Sequence, residues 1–156
     1  MNVLVAVDGS WCSEAAIREV GARPWPEGTQ FRIITVDAPL GRSSLSRGTP
    51  KTAYEELVHL ERREAQDALD RAVDQLGGLL PDAARTAALL EGSPRERIVE
   101  EARQWGADLI VVGSHGRGAV KSVLLGSVSL AVALQAPCSI LIVRGEEPPS
   151  AEAHAE

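Results

Sequence analysis

Five short apolar runs alternate along the chain with segments of helical periodicity. In the runs at 3–7, 109–112 and 139–143, aliphatic residues follow one another without polar alternation, as is typical of strands buried on both faces of a parallel sheet. Strands that alternate with helices require crossover connections, which make neighbouring strands parallel. The pattern predicts an α/β fold, one parallel sheet with helices on both faces and strands at 3–7, 31–36, 86–90, 109–112 and 139–143.

Helix signals fill the segments between the runs. In the segment 93–106, Ser93 is a predicted N-cap, Pro94 takes the first helical position and Glu96 completes a capping box. We therefore predict a helix there. Shorter helices are predicted at 11–21 and 127–135.

A longer helix is predicted at 52–78. It begins with a second capping box, from Thr52 to Glu55, and stops at two consecutive glycines, Gly77 and Gly78. Its apolar positions recur at helical spacing and predict one buried face, made of Leu57, Ala65, Leu69, Ala72 and Leu76.

Length and composition limit the class of protein. A chain of 156 residues suits one domain, and with aromatic residues at only 3% its core must be aliphatic. The net charge of −6 opposes binding to nucleic acid. No apolar run reaches the length of a membrane span or follows a basic leader, and the two cysteines, Cys12 and Cys138, lack metal-ligand spacing. These features favour a cytoplasmic protein with two thiols.

Two loops should meet at the carboxyl edge of the predicted sheet, where α/β proteins bind ligands. Asp8 follows the first strand, and the glycine-rich segment 113–129 follows the fourth. That segment matches neither a Walker loop nor the Rossmann fingerprint, but Gly126-Ser127 opens a helix whose N–H groups can bind an anion. Two plainer interpretations stay open: Asp8 caps a helix, and the glycines only form turns.

Two windows of the sequence lack acidic residues. One runs from 109 to 145 and contains Arg117 and Lys121, which we expect to lie in a locally positive field. The other runs from 38 to 54. We expect its loop either to close over a polyphosphate through Arg42 or Arg47, or to remain a mobile, solvated loop.

The glycine-rich segment resembles a known family. Gly113, Gly116, Gly126 and Ser127 form the string G-x2-G-x9-G-S, which, with Asp8 after the first strand, resembles the nucleotide-binding class of the universal stress protein family. The resemblance implies a sheet of strand order 3-2-1-4-5 and a family domain at 1–144. It also implies a nucleotide site made of Ala6, Asp8, Val36, Val112, Gly113, Gly116, Gly126, Ser127, Val128 and Ser129.

The same resemblance implies the ligand and the assembly. The ligand would be ATP, with Mg²⁺ bridging its phosphates, and the assembly a homodimer formed through the apolar edge strand 139–143. The leading hypothesis is an ATP-binding stress or signalling protein whose occupancy modulates an unidentified protein partner. The alternatives are a slow ATPase or phosphoryl-transfer enzyme and a nucleotide-free adaptor dimer. Catalysis by His115 is disfavoured, and the composition of 145–156 predicts a disordered tail.

Overall fold

The computed structural model describes residues 1–38, 50–117 and 125–145. Outside these ranges lie the predicted closing residues Arg42 and Arg47, Lys121, and the predicted tail from 146 onward. The elements in chain order are β1 (Asn2–Ala6), α1 (Trp11–Ala22), β2 (Gln30–Asp37), α2 (Lys51–Leu79), β3 (Ala84–Glu91), α3 (Pro94–Trp105), β4 (Leu109–Gly113), α4 (Ser127–Gln135) and β5 (Ser139–Val143).

The five strands form one parallel sheet in the order β3-β2-β1-β4-β5. This confirms the predicted α/β fold and the strand order that the family resemblance implied. β1 is central, and its Val5 lies between Ile33 of β2 and Val111 of β4. The strand order reverses on either side of β1, so the carboxyl ends of β1 and β4 flank the switch point, where parallel sheets leave a crevice.

Successive side chains along each strand point to opposite faces of the sheet. Val3 and Val5 of β1 pack in a cluster with α1 and α2, whereas Leu4 packs in a second cluster with α3 and α4. The helices therefore cover both faces, as predicted, and two largely aliphatic cores, one of which includes Phe31, stabilise the sheet from either side.

The ends of α2 differ from the prediction. The helix begins at Lys51 after Pro50, no side chain caps it, and Thr52 lies inside the first turn, so the predicted capping box is wrong. At the other end it continues through the glycine pair to Leu79, which packs against Gly21 of α1. Leu57, predicted on the buried face, is 39% exposed.

The remaining helices begin close to their predicted starts. α4 has the predicted bounds, and α3 begins after Ser93, although the Ser93 side chain makes no capping hydrogen bond. Within the three described ranges, no helix combines the length and apolar character that a membrane span requires.

Candidate functional site

An open cleft lies at the carboxyl edge of the sheet, beside the ends of β1 and β4. Its walls are formed by the ends of β1, β2 and β4 on either side of the switch point and by the starts of α3 and α4. The lining residues are Ala6, Val7, Asp8, Ser13, Ile34, Val36, Pro94, Ile98, Val112, Gly113, His115, Gly116, Val128 and Ser129.

One side of the cleft is apolar. Ala6, Val36 and Val112 come from the ends of three neighbouring strands, and Ile98 and Val128 come from the helices that cover the same face of the sheet. This surface suits a flat, largely apolar group such as a nucleobase, because its burial removes apolar area from water without leaving a charge unpaired.

Asp8 joins the two loops that border the cleft. Its Oδ1 accepts the N–H of Ser10 at 2.9 Å, and its Oδ2 accepts the N–H of Arg117 at 3.1 Å. The N-cap of α1 is Ser10, whose hydroxyl accepts the N–H of Ser13 at 3.2 Å. The interpretation of Asp8 as the cap of α1 is therefore wrong. Each carboxylate oxygen has two acceptor sites, so Asp8 can still accept a hydrogen bond from a ligand hydroxyl or amine.

The start of α4 lies against the end of β4. The N–H of Gly126 donates to the Ser114 carbonyl at 2.7 Å, and the first N–H that bonds within the helix is that of Leu130. The N–H groups of residues 127–129 therefore precede the helical hydrogen-bond pattern and lie at the positive end of the helix dipole. Such a helix start attracts the oxygens of an anion.

The hydroxyl of Ser129 already has an acceptor. It donates to the Gly113 carbonyl at 2.6 Å, and the residue is only 4% exposed. Ser129 therefore fixes α4 to β4, and a ligand would meet its backbone N–H rather than its hydroxyl hydrogen. The neighbouring Ser127 is exposed at the first position of the helix.

The three motif glycines allow these segments to approach one another. A Cβ on Gly113 would lie 2.8 Å from the Cys12 backbone, one on Gly116 would lie 2.6 Å from Oδ2 of Asp8, and one on Gly126 would lie 3.0 Å from the Ser114 carbonyl. Each glycine thus has a packing reason within the protein, and together they bring the starts of α1 and α4 to the cleft.

The cleft collects most of the predicted site residues. Those that line it are Ala6, Asp8, Val36, Val112, Gly113, Gly116, Val128 and Ser129. Gly126 and Ser127 lie beside it at the start of α4 without lining it. The lining residues that were not predicted are Val7, Ser13, Ile34, Pro94, Ile98 and His115. Pro94 could have been found, because it opens the helix that follows the carboxyl end of β3.

Arg117 lies in a different electrostatic environment from the predicted one. Its guanidinium Nη1 is 2.9 Å from Oε2 of Glu64 on α2, and its backbone bonds to Asp8. Arg117 is therefore not in an isolated positive field, because Glu64 of α2 and Asp8, which follows β1, bring carboxylates to it.

His115 belongs to a short polar chain. The Ser114 hydroxyl lies 3.1 Å from Nδ1 of His115 and 3.5 Å from Sγ of Cys12. Ser114 is 2% exposed, so its hydroxyl is not accessible to a substrate in the way that a nucleophilic serine must be. In the described ranges, no group of three or more histidines, cysteines and carboxylates is placed to hold a metal ion.

Comparison with known proteins identifies the family. A model of the universal stress protein family matches residues 1–144. A universal stress protein of Thermus aquaticus, from the QAH/OAS sulfhydrylase 3′ region, is 33% identical over 143 residues, which cover 92% of this chain and 98% of that protein. The chain therefore belongs to the universal stress protein family.

Solved structures agree with this assignment. The universal stress protein UspA from Lactobacillus plantarum has a TM-score of 0.77 and 26% identity, with 92% of this chain and 97% of that chain covered. A universal stress protein solved in complex with cAMP has a TM-score of 0.65 and 27% identity, with 94% and 98% covered. The architecture of this chain is that of the family.

Proposed function

We propose that the cleft binds an adenine nucleotide, ATP, with the base on the apolar surface, the ribose beside Asp8 and the phosphates at the start of α4. The supporting observation is that one cleft combines an apolar surface, a carboxylate with spare acceptor sites and a helix N-terminus. The similar protein that was solved with cAMP also supports an adenine ligand.

The phosphates determine how Mg²⁺ would be held. No protein cage for a metal exists in the described ranges, so the phosphate oxygens and water would supply the ligands of the ion. Asp8 is better suited to a ribose hydroxyl than to a phosphate, because two negative groups repel each other. We therefore assign it to the sugar side of the nucleotide.

We further propose a cytoplasmic homodimer in which nucleotide occupancy modulates binding to a protein partner in a stress response. β5 forms one edge of the sheet, and its sequence SILIV is strongly apolar. An edge of this kind favours pairing with a second strand. Two copies would then extend one sheet across a two-fold axis.

The nucleotide that copurifies with the protein tests the binding proposal. The protein is purified without added nucleotide and denatured, and the supernatant is analysed by mass spectrometry. ATP at close to one equivalent is the expected result, and ADP alone would indicate turnover by a slow ATPase. The absence of nucleotide, together with no heat of binding when ATP is added, would overturn the proposal and favour the adaptor alternative.

A matched pair of variants locates the site. Ala6→Phe places a ring on the apolar surface of the cleft, so we expect it to abolish ATP binding in a folded protein. Ala87→Phe makes the same change at an exposed position of β3 and should bind ATP as the parent does. Equal affinity of both variants would show that the nucleotide binds elsewhere.

A further inference from the structure

Arg117 lies at the boundary between two depressions of the surface. The preceding residue, Gly116, lines the nucleotide cleft, but Arg117 itself lines a neighbouring groove on the α2 side. Carboxylates of Glu64, Asp67 and Asp8 line that groove with it. The long side chain of Arg117 thus begins at the edge of the cleft and extends away from it.

Two contacts hold Arg117 in this position. Its backbone N–H donates to Asp8, which fixes where the side chain begins, and its guanidinium pairs with Glu64, which fixes where the side chain points. The side chains of Arg117 and Glu64 are 44% and 51% exposed. Ion pairs this exposed contribute little to stability and are readily exchanged for a better partner.

A phosphate group is such a partner. Arginine binds phosphate oxygens through two parallel hydrogen bonds, and these charge-assisted bonds are stronger than a single exposed contact to a carboxylate. The start of α4, where the proposed function places the phosphates, is attached to the same loop, because the N–H of Gly126 bonds to Ser114. A bound phosphate and Glu64 would therefore compete for one guanidinium.

We propose that Glu64 is a positioning residue that holds Arg117 out of the cleft, so that a phosphorylated ligand binds by taking the guanidinium from Glu64. This inference rests on the proposed function. It adds that Arg117 changes its ion-pair partner when the ligand binds. Glu64 is the last residue of α2 before the buried stretch that starts at Ala65. Release of Arg117 would therefore break the ion pair that links residue 117 to the exposed half of α2, and that surface would differ between the empty and the occupied protein.

Glu64→Gln tests the competition because it removes the charge and keeps the size of the side chain. Titration calorimetry with ATP and with adenosine, which lacks phosphate, is carried out on both proteins. We expect the ATP dissociation constant to fall by about 1.5- to 5-fold in the variant and the adenosine constant to stay unchanged. Glu56→Gln makes the same charge change two turns earlier on α2, about 12 Å along the helix, and should leave both constants unchanged.

Arg117→Gln and the double variant with Glu64→Gln complete a double-mutant cycle. Arg117→Gln alone should weaken ATP binding without affecting adenosine, and in its presence Glu64→Gln should no longer strengthen ATP binding. An unchanged or weaker ATP affinity in Glu64→Gln, or an equal change for adenosine, would overturn the inference. If the parent protein bound neither ligand, the proposed function would itself have failed and the inference with it, and the parent titration alone reports that outcome.

Discussion

The glycines of the site are explained by the lack of room for a side chain, and not by an unusual backbone conformation. The φ angles of Gly113, Gly116 and Gly126 lie outside the left-handed region, which in the described ranges contains other glycines such as Gly9. A side chain at Gly116 would instead collide with the Asp8 carboxylate. The motif therefore reflects the close approach of two loops. A bulky replacement would perturb folding as well as ligand binding.

We expect Gly116→Ala to lower the free energy of unfolding by about 1 to 3 kcal/mol, because the added Cβ would lie 2.6 Å from Oδ2 of Asp8. In an Asp8→Ala background the same substitution should cost less, since the colliding atom is gone. Urea denaturation of the two single variants and the double variant measures this coupling. Additive losses would contradict the packing explanation.

Gly78→Ala is the matched control. Gly78 lies in α2, and a Cβ there meets no atom within 4 Å. Alanine in a helix loses less backbone entropy on folding than glycine, so this variant should be more stable by about 0.5 to 1 kcal/mol. The same chemical change thus has opposite signs at the two positions.

The two thiols should differ in reactivity. Burial, assisted by the charge of Asp108, raises the pKa of the Cys138 thiol, and a backbone hydrogen bond with Ile110 lowers it in part. Because a raised pKa leaves less thiolate at a given pH, Cys138 should react with iodoacetamide more slowly than free cysteine at pH 7.5. Its rate should keep rising as the pH passes the ordinary thiol pKa of about 8.5.

Mass spectrometry of the alkylated protein distinguishes the two sites. Cys12 is 0% exposed and should be modified only in denaturant. The Cys138→Ser variant should therefore remain unlabelled while it is folded. A labelling rate that levels off at or below the ordinary thiol pKa would contradict the raised pKa of Cys138.

At the scale of the elements, local sequence signals placed every strand and helix within a few residues, but the predicted capping box at the start of α2 was wrong. The box at Thr52 was a plausible start, yet the N-cap is Pro50, two residues earlier. The glycine pair was a plausible end, and the helix extends one residue past it to Leu79, whose side chain lies against Gly21 of α1 although it is 44% exposed. A contact of this kind with another helix has no signature in the local sequence.

The two halves of α2 should differ in local stability. No residue from 51 to 64 is buried, whereas Ala65, Leu69 and Leu76 of the second half pack in the core. Amides of the first half should therefore exchange with solvent deuterium faster than those of 65–79, because fewer apolar contacts break when that half opens. Peptide-resolved exchange mass spectrometry measures the difference, and equal protection along the helix would contradict it.

At the scale of the whole molecule, the alternation of strands and helices predicted the parallel sheet, whereas the strand order 3-2-1-4-5 came from the family resemblance. The location of the cleft then follows from that order. The environment of Arg117 was not predictable. Its partner Glu64 is 53 positions away in the sequence, on a helix whose orientation depends on packing. A local search for acidic residues cannot detect such a contact.

The proposed dimer predicts a solution mass of about twice 16.6 kDa by light scattering. The Val143 carbonyl accepts an N–H from Ser114, so by the alternation of the strand the N–H of Ile142 faces away from β4. Ile142→Pro removes that outward donor and should yield a folded monomer, because proline is tolerated on edge strands.

Ile142→Val is the control for that experiment. It keeps the N–H and most of the side chain, so it should remain dimeric. Circular dichroism of both variants shows whether the fold is retained. A folded parent protein that is monomeric at micromolar concentration, or a proline variant that stays dimeric, would contradict an assembly through β5.

The hydrogen bond from Arg117 to Asp8 joins residues 109 positions apart. A chain that is still leaving the ribosome has Asp8 from the start but lacks its partner until the fourth strand has been made. If the cleft binds a nucleotide as proposed, the ligand gives no help to the earlier stages of folding, because it stabilises only molecules in which the ends of β1 and β4 have come together. Occupancy of the proposed site would then mark the copies of the chain in which these two distant segments have met.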